Sequence, residues 1–223
     1  MPSLDEEACA DEIVAIFDQV TSLTPMQIVH AVHATRGKLY EVYCVGRLLA
    51  QLHGDHGLTP TYTGTGPLRL KASGGYADPL SPHFMLFDGG VLVGRVYTDV
   101  EVMTLGAEVA LAHGATITDL SAYHEIDIVV LADQHQPRPS PGEVLIGVEC
   151  KAVAEFEKSF IREVLGRRRE LSFYRPDTTA FGAAIMASPA SDYFLAYIDP
   201  AGNRYSQSPA VFEVRLEHWV PTI

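Results

Sequence analysis

The sequence predicts an α/β protein with a mixed central sheet, helices on its flanks and a helical extension at the N-terminus. Three observations carry that expectation. Apolar residues recur at helical spacing near the N-terminus and again across 155–173. The middle of the chain holds β-rich runs bounded by Gly and Pro clusters, and the last segments return to strand-like alternation. With 223 residues, 47% hydrophobic and 20% charged, the chain can bury one core of moderate size.

Residues 4–20, LDEEACADEIVAIFDQV, set Ile13, Ile16, Phe17 and Val20 at helical spacing, with acids crowding the first turn where the helix dipole favours them. Thr24 as N-cap and Pro25 at the first helical position open a second predicted helix, running to about Ala34. A third runs from Lys38 to Gly54, its stripe made by Leu39, Val42, Val45, Leu48, Leu49 and Leu52. Residues 54–82 are rich in Gly, Pro, Thr and Ser and predict a loop region holding one short strand at Leu68–Ala72. HFMLFD and VLVGRVYTDVEVM, joined at Gly89-Gly90, predict a hairpin. Residues 105–115 fit a short helix or a loop equally.

EIDIVVLAD and EVLIGVECKA are the next strands, joined by the proline-rich QHQPRPSPG. A helix follows over Glu155–Phe173, with Phe156, Phe160, Val164 and Leu171 near its stripe and Pro176 beyond its end. TAFGAAIMAS (179–188) predicts a short strand, YFLAYID another that turns at PAGN, and VFEVRLEHWV a last alternating segment. The natural division is a helical extension over 1–35 and a main domain over 36–223, or one continuous domain.

Composition narrows the function classes. A net charge of −12 argues against nucleic-acid binding by the whole surface and confines any such contact to a local basic patch. The three cysteines are far apart with no CxxC, so a reducing, cytoplasmic setting is expected and one chain cannot supply four thiolates to an iron–sulfur cluster. No apolar run approaches the ~20 residues of a membrane span, and the acidic start does not resemble an export signal.

The chemistry concentrates in two apolar strands that carry charges they have no ordinary use for: Asp127 in the first, and Glu149, Cys150 and Lys151 in the second. Buried charges need a metal or one another. Strict alternation puts Glu125, Asp127 and Val129 on one face, with Ile126, Ile128 and Val130 on the other. It likewise aligns Glu149 with Lys151. If the strands pair as a hairpin, Asp127 and Glu149 converge. Two carboxylates there suit Mg²⁺, a hard cation that keeps several waters, with the Cys150 backbone carbonyl as a further ligand. Lys151 is placed to orient the nucleophile or stabilise the oxyanion.

Asp, about twenty residues, then Glu-x-Lys on consecutive strands followed by a helix resembles the PD-(D/E)xK nuclease superfamily, over roughly residues 38–190. The resemblance implies a restriction-endonuclease-like αβββαβ core and Mg²⁺-dependent (or Mn²⁺-dependent) hydrolysis of DNA rather than RNA, in restriction, phage defence or repair. It implies Asp127 and Glu149 as metal ligands, Lys151 as catalytic, and Glu41 as the acid that many members carry on the first core helix. Cutting both strands implies a homodimer or higher assembly. The Gln and Tyr motif of the RecB-like branch is not evident after Glu149-Cys150-Lys151, where the helix carries GRRREL instead.

Blander readings stand beside these. Asp127, Glu149 and Lys151 also fit a cross-strand salt bridge at an exposed sheet edge, and Glu41 a solvated helix residue. Glu125 is an accessory acid or an exposed strand end. Asp99 and Glu101 either extend the acidic cluster or express simple polar alternation. Arg162, Arg167, Arg168 and Arg169 either meet phosphates or complement the helix dipole. His30 with His33, and His53 with His56, read as surface histidines more readily than zinc ligands. Rival functions are a catalytically inactive module that binds or scaffolds, and a hydrolase of small phosphoesters.

Overall fold

The computed structural model describes residues 4–21, 23, 27–28, 35–66, 68, 74–172 and 191–221. Helices α1 (Glu6–Val20) and α2 (Arg36–His56) precede a seven-stranded mixed sheet with helices between its strands. The strands are β1 (Thr59–Tyr62), β2 (Phe84–Asp88), β3 (Val91–Met103), β4 (Tyr123–Ala132), β5 (Val144–Lys151), β6 (Asp192–Tyr197) and β7 (Val214–His218). Helix α3 (Leu105–Ala112) follows β3, α4 (Lys158–Glu170) follows β5, and α5 (Gln207–Val211) precedes β7.

The strands lie in sequence order. From β1 to β5 each pairs antiparallel with the next, whereas β6 joins β5 in parallel and β7 joins β6 in parallel. Parallel pairing needs a crossover, and α4 lies on the connection from β5 to β6. Two apolar cores sandwich the sheet. One gathers Cys9, Ile13 and Phe17 of α1 and the stripe of α2 against Leu86, Val96, Ile128, Val130 and Val148. The other packs Ile161 and Val164 of α4 against Tyr97, Val129, Leu131, Tyr193 and Leu195. No helix among the described residues is long and apolar enough to cross a membrane.

Several element boundaries differ from the sequence reading, each for a local reason. Helix α2 passes through Gly54 and stops at Gly57, whose φ of 67° is left-handed. There the Leu58 N–H donates back to Leu52 O and Gly57 N–H to His53 O, closing the last turn. Helix α4 starts at Lys158 rather than Glu155, because Glu157 is extended (φ −104°, ψ 149°) and stands at the N-cap, while the Phe156 N–H donates to Asp199 Oδ2 at 2.7 Å. The ambiguous 105–115 stretch is helical over α3, where Thr104 caps the Ala107 N–H. Strand β1 lies inside the expected 54–82 loop and pairs with β2. Of the helix expected at 24–34, Gln27 and Ile28 are helical and the rest lies outside the described residues. Most of the 68–72 strand, all of the 179–188 strand, His30 and His33 lie outside them as well.

The expected alternation breaks in the middle of the sheet. Ile128 and Val130 join the core under α2, while Val129 and Leu131 join the core under α4, as a strand should. Ile126 then falls on the α4 side, with Val129 rather than with Ile128. On the neighbouring strand Val100 and Val102 lie on that side too. The switch falls where Asp99 stands opposite Asp127, between the pairs Thr98–Ile128 and Val100–Ile126. Asp99 has a φ of 50°, a left-handed conformation that rotates the strand through half a repeat.

Candidate metal centre

The switch leaves two carboxylates without an apolar face to displace, and α2 supplies a third. Apolar side chains such as Leu39, Tyr40, Val42 and Tyr43 pin α2 to the sheet. That packing leaves Lys38 and Glu41, one helical turn apart, over the part of the sheet where β3 and β4 carry Asp99 and Asp127. One donor oxygen from each of Glu41, Asp99 and Asp127 lies within 4.8 Å of the others, and among the described residues this is the one His, Cys, Asp or Glu group so arranged.

Lys38 is the group's internal counter-ion. Its Nζ lies 2.6 Å from Glu41 Oε2 and 2.6 Å from Asp99 Oδ1. Burial pulls the Lys38 ammonium down, but the hydrogen bonds to Asp99 and Glu41 outweigh it and the group is raised overall. Burial pushes Glu41 up to about 7, with Asp99 and Asp127 adding to the push and Lys38 opposing it. Asp99 is raised by burial as well, against Lys38 and with Glu125 and Asp127. The Asp99 side chain is 2% exposed, and its Oδ2 is buried with no hydrogen-bond partner.

Asp127 ties this group to the next strand. Its Oδ2 accepts from the Cys150 N–H at 2.7 Å. The β4–β5 ladder ends at Ile128–Val148, so Asp127 is level with Glu149 where the strands part. Asp127 and Glu149, expected to converge, thus stand level on neighbouring strands, but their carboxylates have different partners and Glu149 is not one of the three clustered acids. Glu149 is buried, accepts from the Tyr193 hydroxyl at 2.9 Å, and pairs through Oε1 with the Arg167 guanidinium. Its Oε2 has no hydrogen bond, and Lys151 Nζ stands 3.8 Å from it. Burial and the Asp127 carboxylate push Glu149 up to about 7, while Arg167, Lys151 and Tyr193 pull it down.

Lys151 follows Glu149 to the α4 side, 3.1 Å from Glu163 and over the Phe160 ring. The site thus has two linked halves: three acids and Lys38 beside α2, and Glu149, Lys151, Arg167 and Glu163 beside α4. Cys150 enters through its N–H. Glu125 accepts at its backbone carbonyl from Arg167, and Glu101 pairs with Arg138 at 2.7 Å.

The four arginines of α4 divide. Arg168 is buried, donating to Ser191 Oγ and Phe212 O and pairing with Glu213, so it presents no surface to a polyanion. Arg167 is bound to Glu149 and Glu163. Arg162 and Arg169 are exposed. His53 turns its Nδ1 to Leu58 O at 2.8 Å, at the end of α2. Sequence reasoning missed Lys38 as a site residue, although its spacing of three from Glu41 in a helix places the two on one face.

The residues fit a divalent cation. Three carboxylates are hard oxygen donors, and the buried, unbonded Asp99 Oδ2 is a donor that the protein itself leaves unused. Comparison of the chain with protein-family models, curated proteins and solved structures finds no match.

Proposed function

We propose that this protein is a Mg²⁺-dependent nuclease, with Mn²⁺ as a substitute, that hydrolyses phosphodiester bonds in DNA. The observation that carries the reading is the group Glu41, Asp99 and Asp127, within 4.8 Å of one another and level with the Glu149–Lys151 strand. The order α2, β3, β4, β5, α4, β6 is compatible with a restriction-endonuclease-like αβββαβ core, which supports the same reading. A cation at this site would neutralise phosphate charge and acidify an attacking water.

The chain's own residues divide the remaining work. Glu41, Asp99 and Asp127 would hold the cation. Asp127 is fixed by the Cys150 N–H, and Glu149 is fixed by Tyr193 and Arg167 beside it. Lys151, positioned by Glu149 and Glu163, would supply the positive charge for the developing oxyanion. Arg162 and Arg169 offer the exposed charge on α4 for the DNA backbone. Two strands require two such sites, so the active species is a homodimer or larger assembly, with restriction, phage defence or repair as its setting.

A second reading is favoured by one observation: the Glu149 carboxylate is already committed to Arg167 and Tyr193. That pairing also suits an inactive module that binds or scaffolds. A plasmid-nicking assay separates the two. The nuclease reading expects Mg²⁺-dependent nicking, stopped by EDTA and lost in Asp127→Asn and Lys151→Ala. Nicking that persists in Lys151→Ala removes Lys151 from the chemistry, and no nicking with either metal favours the inactive module.

A further inference from the structure

We propose that Lys38 is a built-in stand-in for the metal: its ammonium occupies the cation position between Glu41 and Asp99, and a divalent ion enters by displacing it. The inference rests on the metal reading above and adds a competitor to it.

The geometry makes the two cations alternatives. Lys38 Nζ bridges Glu41 Oε2 and Asp99 Oδ1 at 2.6 Å each, and both residues belong to the candidate ligand set. Mg²⁺ holds its oxygens at about 2.0–2.1 Å. An ion bound between those two oxygens would fall in the space that the ammonium fills, with like charges in contact. The ammonium neutralises one of three acids that would otherwise repel each other.

The mobile partner is the lysine. Asp99 is fixed in a strand with its side chain 2% exposed, whereas the Lys38 side chain is 23% exposed in the first turn of α2. A four-carbon stem can swing to solvent without moving the backbone. Lys38 is also an incomplete occupant, because it bonds Asp99 Oδ1 and leaves the buried Oδ2 without a partner. An ordinary surface pair with Glu41 would not need Asp99. A cation with its own waters has donors to spare for that second oxygen.

The test is Mn²⁺ binding by the full chain, read by calorimetry without any nuclease assay. Lys38→Met is expected to bind Mn²⁺ about 5- to 150-fold more tightly than wild type, the usual range for coupled equilibria. Lys38→Arg, which keeps the charge, is expected to stay near wild type, and Asp99→Asn to lose saturable binding. Wild-type protein supplies a second measurement that needs no variant to fold. Mn²⁺ should speed acetylation of Lys38, followed by mass spectrometry, because the released ammonium meets solvent. Wild-type binding with no gain in Lys38→Met, or no rise in Lys38 acetylation, overturns the displacement alone. Absence of Mn²⁺ binding in both wild type and Lys38→Met overturns the displacement and the metal reading together. Binding with the expected gain, beside no cleavage in the separate plasmid-nicking assay, upholds the displacement and removes only the nuclease.

Discussion

Asp99 lies opposite Asp127 across the β3–β4 pair, between the joined positions Thr98–Ile128 and Val100–Ile126. Like charges facing each other across a sheet oppose pairing by up to about 1 kcal/mol. The fold keeps this pair with Asp99 at a φ of 50° and both side chains within reach of Glu41. Such an arrangement costs stability in the metal-free protein and makes sense if a cation repays it.

Asp127→Asn should therefore separate binding from stability. An asparagine oxygen still accepts from the Cys150 N–H, but the charge facing Asp99 is gone. The variant should lose saturable Mn²⁺ binding, yet melt in EDTA no lower than wild type and up to about 1 kcal/mol more stable. Calorimetry with and without Mn²⁺ reads both effects. A melting temperature well below wild type in EDTA would show that the Asp127 charge stabilises the metal-free fold instead.

Gly147→Ala should be costly although the residue is far from any turn. A Cβ there would meet Tyr193 Cε2 at 2.5 Å and Cδ2 at 2.8 Å, across the β5–β6 pair. The ring cannot retreat without drawing its hydroxyl from Glu149 Oε1. Overpacking of this kind costs about 1–3 kcal/mol. Urea unfolding of the variant should show that loss, and an unchanged midpoint would mean that Tyr193 has room to move.

The strands and helices that surround the site were legible because their signals are local. The Gly89-Gly90 hairpin and the stripe of α2 follow from period and turn chemistry. Glu41, Asp127, Glu149 and Lys151 stood out because charges in apolar runs need partners. Two things were not legible. Strict parity placed Asp127 with Val129, but both β3 and β4 switch sides around the facing pair Asp99 and Asp127, with Asp99 left-handed, and no residue pattern announces such a switch at an aspartate. The partners of Glu149 were hidden too. Arg167 and Tyr193 are 18 and 44 positions further along the chain, and the crossover through α4 and the parallel pairing of β6 bring them together.

Arg167→Met should destabilise the protein more than a surface arginine would. It leaves Glu149, 1% exposed, with Tyr193 and a lysine at 3.8 Å. Breaking one side of a buried pair typically costs about 3–5 kcal/mol, while removing both partners costs less. The double variant Arg167→Met with Glu149→Gln should recover part of the loss. A double-mutant cycle by urea unfolding measures the coupling, and additive losses would place the pair outside one network.

The pH dependence of stability tests both halves of the site at once. Glu41 and Glu149 are each pushed from an ordinary 4.5 to about 7, chiefly by burial. Between those values the unfolded chain has released protons that the folded protein keeps. The folded state then binds more protons, so this contribution to stability is full below about 4.5 and is lost as pH rises through about 7. His83 and His124, both lowered by burial, act in the opposite sense, so the informative quantity is the difference between variants. Between pH about 5 and 7 in EDTA, Glu41→Gln and Glu149→Gln should each gain stability relative to wild type as pH rises. Mn²⁺ should raise the wild-type urea midpoint more at pH about 7.5 than at pH about 5, because ligand carboxylates must be deprotonated. A constant difference between wild type and Glu41→Gln across that range would show that Glu41 titrates at its ordinary value and is open to solvent.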